Sequence, residues 1–583
     1  MKQLGILRDY FRANKWRYVI GIFCLIFVDS MQLVTPKITG TIADLLQEGN
    51  LDSSMLLRYA AIIVGLALLT AVGRYGWRMY VMGSARRLDY YLRNKLFVKL
   101  QTLSVAFFNK HKTGDLMAHS TNDIQAVRMA FGQGIMMITD SIFLSIMTIV
   151  IMSQTISWKL TAVALLPLPF LVFVSVFFGR QIHHRFRAVQ ESFSKLTDKT
   201  QESLSGIRVI KSFVQEKPEI KSFEEHNLHN VDMNMKLVRI WGLFFPLIQF
   251  ISALSFIAVI GYGGMLVVDA QISLGGFVAF LSYLGLLIWP IMAIGWVINI
   301  IQRGTASLER LNAIFAEVPD VADHENTLPV DHIDGAVSIK NLTFTYPGAN
   351  VPALQDINIE LSKGKTLAII GRTGSGKTTL INLLLRLHNP PAGSISVDGY
   401  DVNLLPLDTL REEIGCVPQD NFLFSATVRE NIGFAGTDYS DSAIENAARI
   451  AQVYDNIVEF PEGFQTMVGE RGVTLSGGQK QRISIARALI KNPKILILDD
   501  SLSAVDTQTE EAILKGLKSF STGRTNIIVS HRISSIRHAD EIVVLDGGKI
   551  VERGNHDSLL RNRGLYHDLY QKQLLEEEIA KVD

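Results

Sequence analysis

Six long apolar stretches, all before residue 305, decide what this 583-residue chain can fold into. About 20 apolar residues in a helix cross the roughly 30 Å hydrocarbon layer of a bilayer. Stretches near 17–43, 56–82, 131–154, 158–180, 242–268 and 273–300 meet that length, which excludes a water-soluble first half. The loops between the second and third and between the fourth and fifth stretches are long and basic. The first of them carries Arg86, Arg87, Arg93, Lys95, Lys99, Lys110 and Lys112, so these loops belong on the cytosolic side. The turns around 48–52, 153–158 and 269–273 hold no Lys or Arg, as the opposite side requires. Both termini are then expected in the cytosol. The basic loops keep helical periodicity, so the spans should continue as rods outside the membrane. No small-residue cleavage pattern follows the first stretch, and the N-terminus is expected to stay on the protein.

Ahead of the first span, Leu4, Leu7 and Phe11 fall at helical spacing beside Lys2, Arg8, Arg12 and Lys15. That composition suits a helix lying in the membrane surface over residues 1–15, with the transmembrane domain following over 16–316. An ionisable side chain at the centre of a span costs about 2.5–3.5 kcal/mol on insertion scales, which singles out Asp29 and Asp140. Two readings stand: they line a polar substrate path, or they pair with Arg74, Arg78 or a backbone amide as structural glue. Trp289 and Trp296 are seven residues apart and share a helix face, as do Phe277 and Phe280; an aromatic-lined cavity and lipid-facing packing both fit. The net charge of +1 lacks the basic excess of a nucleic-acid-binding chain. The two cysteines, Cys24 and Cys416, fit neither a disulfide framework nor a zinc site and are expected as buried thiols.

A polar stretch over 317–334 reads as a linker, after which short strand-like runs begin with Val337–Phe344 and an α/β domain is expected over 335–583. The apolar strand Thr366–Ile370 runs into Gly371, Arg372, Thr373, Gly374, Ser375, Gly376, Lys377, Thr378 and Thr379, and a helical pattern follows. This is a P-loop in its required strand–loop–helix setting. Glycines let backbone amides close around a β-phosphate, Lys377 neutralises phosphate charge, and the Thr378 hydroxyl suits Mg²⁺. A second apolar strand, Ile495–Leu498, ends in Asp499, where such an ATPase needs its Mg²⁺ ligand. Asp500 follows as the candidate general base. A third strand, Ile527–Val529, leads to His531, a plausible γ-phosphate contact. Upstream of Asp499, Leu475, Ser476, Gly477, Gly478 and Gln479 open another helix as a second anion cradle. One compact domain cannot close both cradles on the same γ-phosphate, so a second copy must supply one of them.

These motifs resemble the ATP-binding cassette (ABC) family over essentially the whole chain, and Leu475–Gln479 is similar to its signature sequence. The resemblance implies that Tyr346 stacks on adenine, that Gln419 touches Mg²⁺ and the membrane domain, and that Ser503 to Asp506 form the D-loop. It further implies that His531 is the switch histidine, and that two cassettes sandwich two ATPs between one chain's P-loop and the other's signature. A membrane domain followed by a cassette resembles a type IV exporter half. Phe107, Phe108 and Asn109 with Thr113–Leu116 and Thr121–Asp123 resemble that group's first cytosolic loop. Glu202 with Gly206–Lys211 resembles the second, and Val468–Gly472 the segment that senses docking of the loops.

The family carries glutamate where this chain has Asp500, one methylene shorter. A positioned base contributes about 10²–10⁴-fold, so hydrolysis at this chain's own site should be slow while ATP still binds. In this respect the chain resembles the degenerate half of bacterial heterodimeric multidrug exporters. That implies a bacterial plasma membrane, a second half-transporter carrying the glutamate, amphipathic small-molecule substrates, contact with membrane lipids, and ATP and Mg²⁺ as cofactors. Lipid or lipopeptide flipping and a homodimeric exporter are the rival expectations. An ATP-gated channel is disfavoured by the lack of a regulatory insertion or a basic pore ring.

Overall fold

A computed structural model describes residues 2–436, 438–469, 475–503 and 505–580. They fall into two compact units. One comprises residues up to Gln101 together with Thr113–Glu317; the other joins Thr102–Lys112 to the chain from Val318 onward.

The membrane unit consists of six helices long and apolar enough to span: α1 (Gly5–Gln47), α2 (Ser53–Thr102), α3 (Thr113–Ile156), α4 (Trp158–Ser205), α5 (Glu216–Val268) and α6 (Leu274–Ala316). They run 43 to 53 residues. At about 1.5 Å per residue they reach roughly 65–80 Å, more than twice the hydrocarbon thickness. The extension of the spans into long rods is therefore observed. A separate surface helix over 1–15 is not. After a 3₁₀ turn at Lys2–Leu7 the α-helix is continuous from Arg8 to Gln47, because no Gly or Pro between Arg8 and Trp16 interrupts it. This first part packs on its neighbours: the Tyr10 hydroxyl donates to the Ser84 carbonyl at 2.5 Å, and Phe11 meets Phe131 at 5.0 Å.

Small residues and buried polar groups tie α6 to the bundle. A Cβ on Gly275 would collide with the Gly40 carbonyl, so α1 and α6 touch backbone to backbone. There the Asp44 carboxylate accepts from the Gly275 amide at 2.6 Å and the Ser273 hydroxyl at 2.9 Å, capping the start of α6. Further along, Asp123 of α3 accepts from Ser307 at 2.8 Å and from two guanidinium nitrogens of Arg310. His119 Nδ1 lies 2.6 Å from the same carboxylate.

The cassette unit has two sheets. The first is four-stranded, in the order β2 (Leu354–Leu361), β1 (Val337–Phe344), β4 (Ile395–Val397), β5 (Tyr400–Asp401). The second runs β10 (Lys549–Gly554), β9 (Glu541–Asp546), β3 (Thr366–Gly371), β8 (Thr525–Val529), β7 (Ile495–Asp499), β6 (Ile414–Val417), with only β10 antiparallel. The runs Leu367–Ile370 and Ile495–Leu498 are apolar throughout because helices cover both faces of a parallel sheet. The parallel strands end at one edge, and the loops leaving β3, β6, β7 and β8 there carry the phosphate-site candidates.

The polar stretch after 317 is not a free tether. Val321 and Ile333 are buried, and Arg386, only 1% exposed, donates to the Ala322 and Leu405 carbonyls at 2.8 and 2.9 Å. In the same unit the short helix Val105–Lys110 buries Phe107 against His111, and Ser104 donates to Asp320 at 3.3 Å.

Candidate functional site

The loop after β3 is shaped by backbone demands that only glycine meets. Gly374 and Gly376 have φ of +82° and +101°, and a Cβ on Gly376 would sit 2.7 Å from the Ala353 carbonyl. The chain then enters α7 (Lys377–Leu384), whose first amides point back at the loop. Lys377 is buried and donates to the Gly371 and Arg372 carbonyls at 2.9 Å each. Burial pushes its ammonium below the usual lysine range, while Asp499 and Asp500 pull it back up. The buried Ser375 hydroxyl has no hydrogen-bond partner among the described residues, which fits a cradle built for an oxyanion.

One cavity of about 250 Å³ gathers Thr373 to Thr379, Gln419, Asp499, Asp500 and His531. Gly371 and Arg372 form the loop's base and do not line it. Tyr346 also lies off this cavity: its hydroxyl donates to Thr379 at 3.1 Å while its ring packs edge-on to Phe344 and His388. Asp499 is pushed above the ordinary carboxylate range by burial, with the Thr378 hydroxyl pulling the other way. Thr378, Gln419 and Asp499 offer hard oxygen donors on one side of the cradle. That set fits Mg²⁺, which takes one or two carboxylates together with phosphate oxygens. Among the described residues no trio of His, Cys, Asp and Glu would hold a metal ion without nucleotide.

Ser476 opens α8 (Gly477–Ile490) through a reciprocal cap: Gln479 N donates to Ser476 Oγ at 3.3 Å and Ser476 N to Gln479 Oε1 at 2.9 Å. Leu475, Gly477 and Gly478 flank this cap, and none of the five signature residues lines the P-loop cavity. The loop-sensing residues 470–472 and Ala504 lie outside the described residues.

A polar chain running through the D-loop residues links these parts. The Ser503 hydroxyl donates to the Asp500 carbonyl at 3.0 Å and accepts from Gln481 of α8 at 3.2 Å. Arg532, next to His531, donates to the Ser503 and Val505 carbonyls at 3.0 and 3.2 Å. It also pairs at 2.7 Å with Glu510, buried in α9 (Thr507–Phe520).

In the membrane unit, Asp29 is 3% exposed. One oxygen of Asp29 and one of Asp140 have no hydrogen-bond partner. Neither forms an ion pair with Arg74 or Arg78 among the described residues. Trp289 and Trp296 meet edge to face at 5.6 Å, both exposed on α6. Ser141, next to Asp140 in α3, donates to the Pro290 carbonyl of α6 at 3.3 Å. An apolar cavity of about 350 Å³ lined by Ile26, Thr139, Ile142 and Phe143 lies within a turn of both aspartates along their helices. A larger cleft of about 610 Å³, between α1 and α2 at Phe23, Phe27, Tyr75 and Met79, includes none of the four residues singled out from sequence.

Residues 18–291 match the family described as ABC transporter transmembrane region, and residues 354–503 match the family described as ABC transporter. The probable multidrug resistance ABC transporter ATP-binding/permease protein YheI of Bacillus subtilis is 43% identical, over 99% of this chain and 98% of that one. The multidrug resistance-like ATP-binding protein MdlA of Escherichia coli is 40% identical over 99% and 97%. The ATP-dependent lipid A-core flippase of Syntrophus aciditrophicus is 34% identical over 98% and 94%. Among solved structures, a bacterial Atm1-family ABC exporter with ATP bound superposes with a TM-score of 0.76 at 27% identity, covering 96% of this chain and 98% of that one. Matched in both halves and aligned with its relatives from end to end, the chain belongs to the ABC transporter family, as a multi-pass membrane exporter with an ATP-hydrolysing cassette.

Proposed function

We propose that this chain is the slow half of a heterodimeric exporter of amphipathic compounds, seated in a bacterial plasma membrane with both termini in the cytosol. The observation that carries the reading is Asp500. It follows Asp499 at the mouth of the cavity, where a general base must come within about 2.6–3.2 Å of the attacking water, and its carboxylate is one methylene short of the family's glutamate. In this reading Thr373–Thr379 hold the triphosphate, Lys377 neutralises it, Tyr346 meets adenine and His531 touches the γ-phosphate. Thr378, Gln419 and Asp499 would hold Mg²⁺, which would neutralise charge on the transferred phosphoryl group. Leu475–Gln479 cap the ATP of the second subunit, whose glutamate completes the fast site.

The names of the B. subtilis and E. coli relatives favour drug export, and the flippase at 34% identity keeps lipid transfer as the second reading. Asp29 and Asp140, each with an unpartnered carboxylate oxygen, and the exposed tryptophan pair of α6 favour a substrate path that accepts a cationic head on an apolar body. The experiment is purification of the chain with whatever subunit accompanies it, followed by ATPase assay of the Asp500→Glu variant. A raised rate supports the slow-site reading. An unchanged rate, with ATP bound at this P-loop, removes it.

A further inference from the structure

Past β8 the chain leaves the sheet, so the backbone groups around His531 lose their ladder partners and must find others. Two are satisfied by a single side chain 42 residues further on. Gln573 Nε2 donates to the His531 carbonyl, and the Ile533 amide donates to Gln573 Oε1 at 2.9 Å. A carboxamide offers a donor and an acceptor side by side, as a neighbouring strand would. Its platform is rigid. Gln573 sits on α10 (Leu565–Ala580), on the face where Tyr566, Leu569 and Tyr570 pack against Ile533, Ile536 and Leu559. On the other side of His531, Arg532 is bound to the D-loop carbonyls and Glu510. His531 is thus flanked by one anchor toward the D-loop and one toward the C-terminal helix.

We infer that Gln573 is a positioning residue for the nucleotide site: it fixes the backbone of His531 so that the imidazole stays in the phosphate cavity, and it makes the C-terminal helix part of that site. The inference rests on the reading of His531 as the γ-phosphate contact. Since Asp500 makes this site slow, the informative quantity is how long ATP stays bound at this chain's P-loop.

The test uses the full-length chain with its co-purifying subunit in lipid nanodiscs, carrying Gln573→Ala, Gln573→Met or Gln573→Glu. Hydrogen exchange over 530–539 should speed about tenfold in the Ala and Met variants, with β3 and β7 unchanged. Release of radiolabelled ATP should speed about tenfold as well, the loss of roughly one hydrogen bond to the backbone. Gln573→Glu should match the Met variant at pH 8, where its carboxylate repels the His531 carbonyl. Near pH 4, where a protonated carboxyl again both donates and accepts, its exchange and its ATP release, each taken relative to wild type at the same pH, should return to the wild-type values while those of the Met variant stay raised. A packing role alone gives no such recovery. His531→Ala separates the two claims. If it leaves ATP release unchanged, the reading of His531 falls and the inference with it. If it speeds release while the Gln573 variants change neither exchange nor release, the inference alone is overturned. Faster exchange with unchanged release overturns it equally.

Discussion

The Asp500 amide donates to the Val529 carbonyl at 2.8 Å, across the seam between β7 and β8, and holds Asp500 in the left-handed region at φ +47°. Aspartate tolerates that conformation better than most residues. The backbone bond sets the direction of the side chain, so reach is decided by side-chain length. Asp500→Glu is expected to raise phosphate release from this chain's site by at least about tenfold, a fraction of what a fully positioned base contributes. A colorimetric phosphate assay on a complex whose other site is disabled reads it directly.

The electrostatics of the cavity give nucleotide binding two pH limbs. Burial depresses Lys377, so its charge is lost as pH rises through a value below the ordinary lysine pKa of about 10.4. Affinity for ATP should therefore fall on the alkaline side sooner than for an exposed lysine. Burial raises Asp499, so it protonates as pH falls through a value above the ordinary carboxylate's, about 3.9, and dependence on Mg²⁺ should weaken there. Equilibrium binding of a fluorescent ATP analogue from pH 5 to pH 10, with and without Mg²⁺, checks both. Lys377→Gln and Asp499→Asn should each abolish the limb assigned to that group, and a limb that survives its substitution would refute the assignment.

Glu510 is 2% exposed and owes its neutralisation to Arg532. Arg532→Met should destabilise the cassette by about 3 kcal/mol, because it leaves a buried carboxylate with only the Ser534 and Ser535 hydroxyls. The double variant Arg532→Met with Glu510→Gln should recover part of that loss. Calorimetric unfolding of the four proteins of this cycle measures the coupling.

Asp29 has an unpartnered oxygen in the membrane unit. Asp29→Asn is expected to leave expression and ATP binding unchanged, since no ion pair is broken. Efflux of a cationic amphiphilic dye should fall about fivefold or more, the loss of about 1 kcal/mol of charge recognition. Efflux of a neutral analogue should be unaffected, and an equal loss for both dyes would contradict a cation-recognising path.

The parts of the site carried by local runs were legible in the sequence. The P-loop, Asp499 and His531 each close an apolar strand, and Ser476 with Gln479 three residues later is a helix-start signal in its own right. The six spans were visible as apolar length, and their extension as periodicity in the basic loops. Arg532 and Gln573 were not legible, because they act on backbone carbonyls and amides that no residue pattern marks; Ser503 was legible as part of the D-loop, but not its bonds to Asp500 and Gln481. The continuity of α1 was not legible because a basic, amphipathic segment reads alike whether it is a separate helix or the first turns of a longer one.

The claim that ATP is clasped across two different subunits is tested most directly by steady-state ATPase of this chain purified alone and with its co-purifying subunit, each with and without Ser476→Arg. Negligible turnover alone, brisk turnover in the complex and its loss on Ser476→Arg are the expected results. Vigorous hydrolysis by the isolated chain, insensitive to Ser476→Arg, would contradict the shared site.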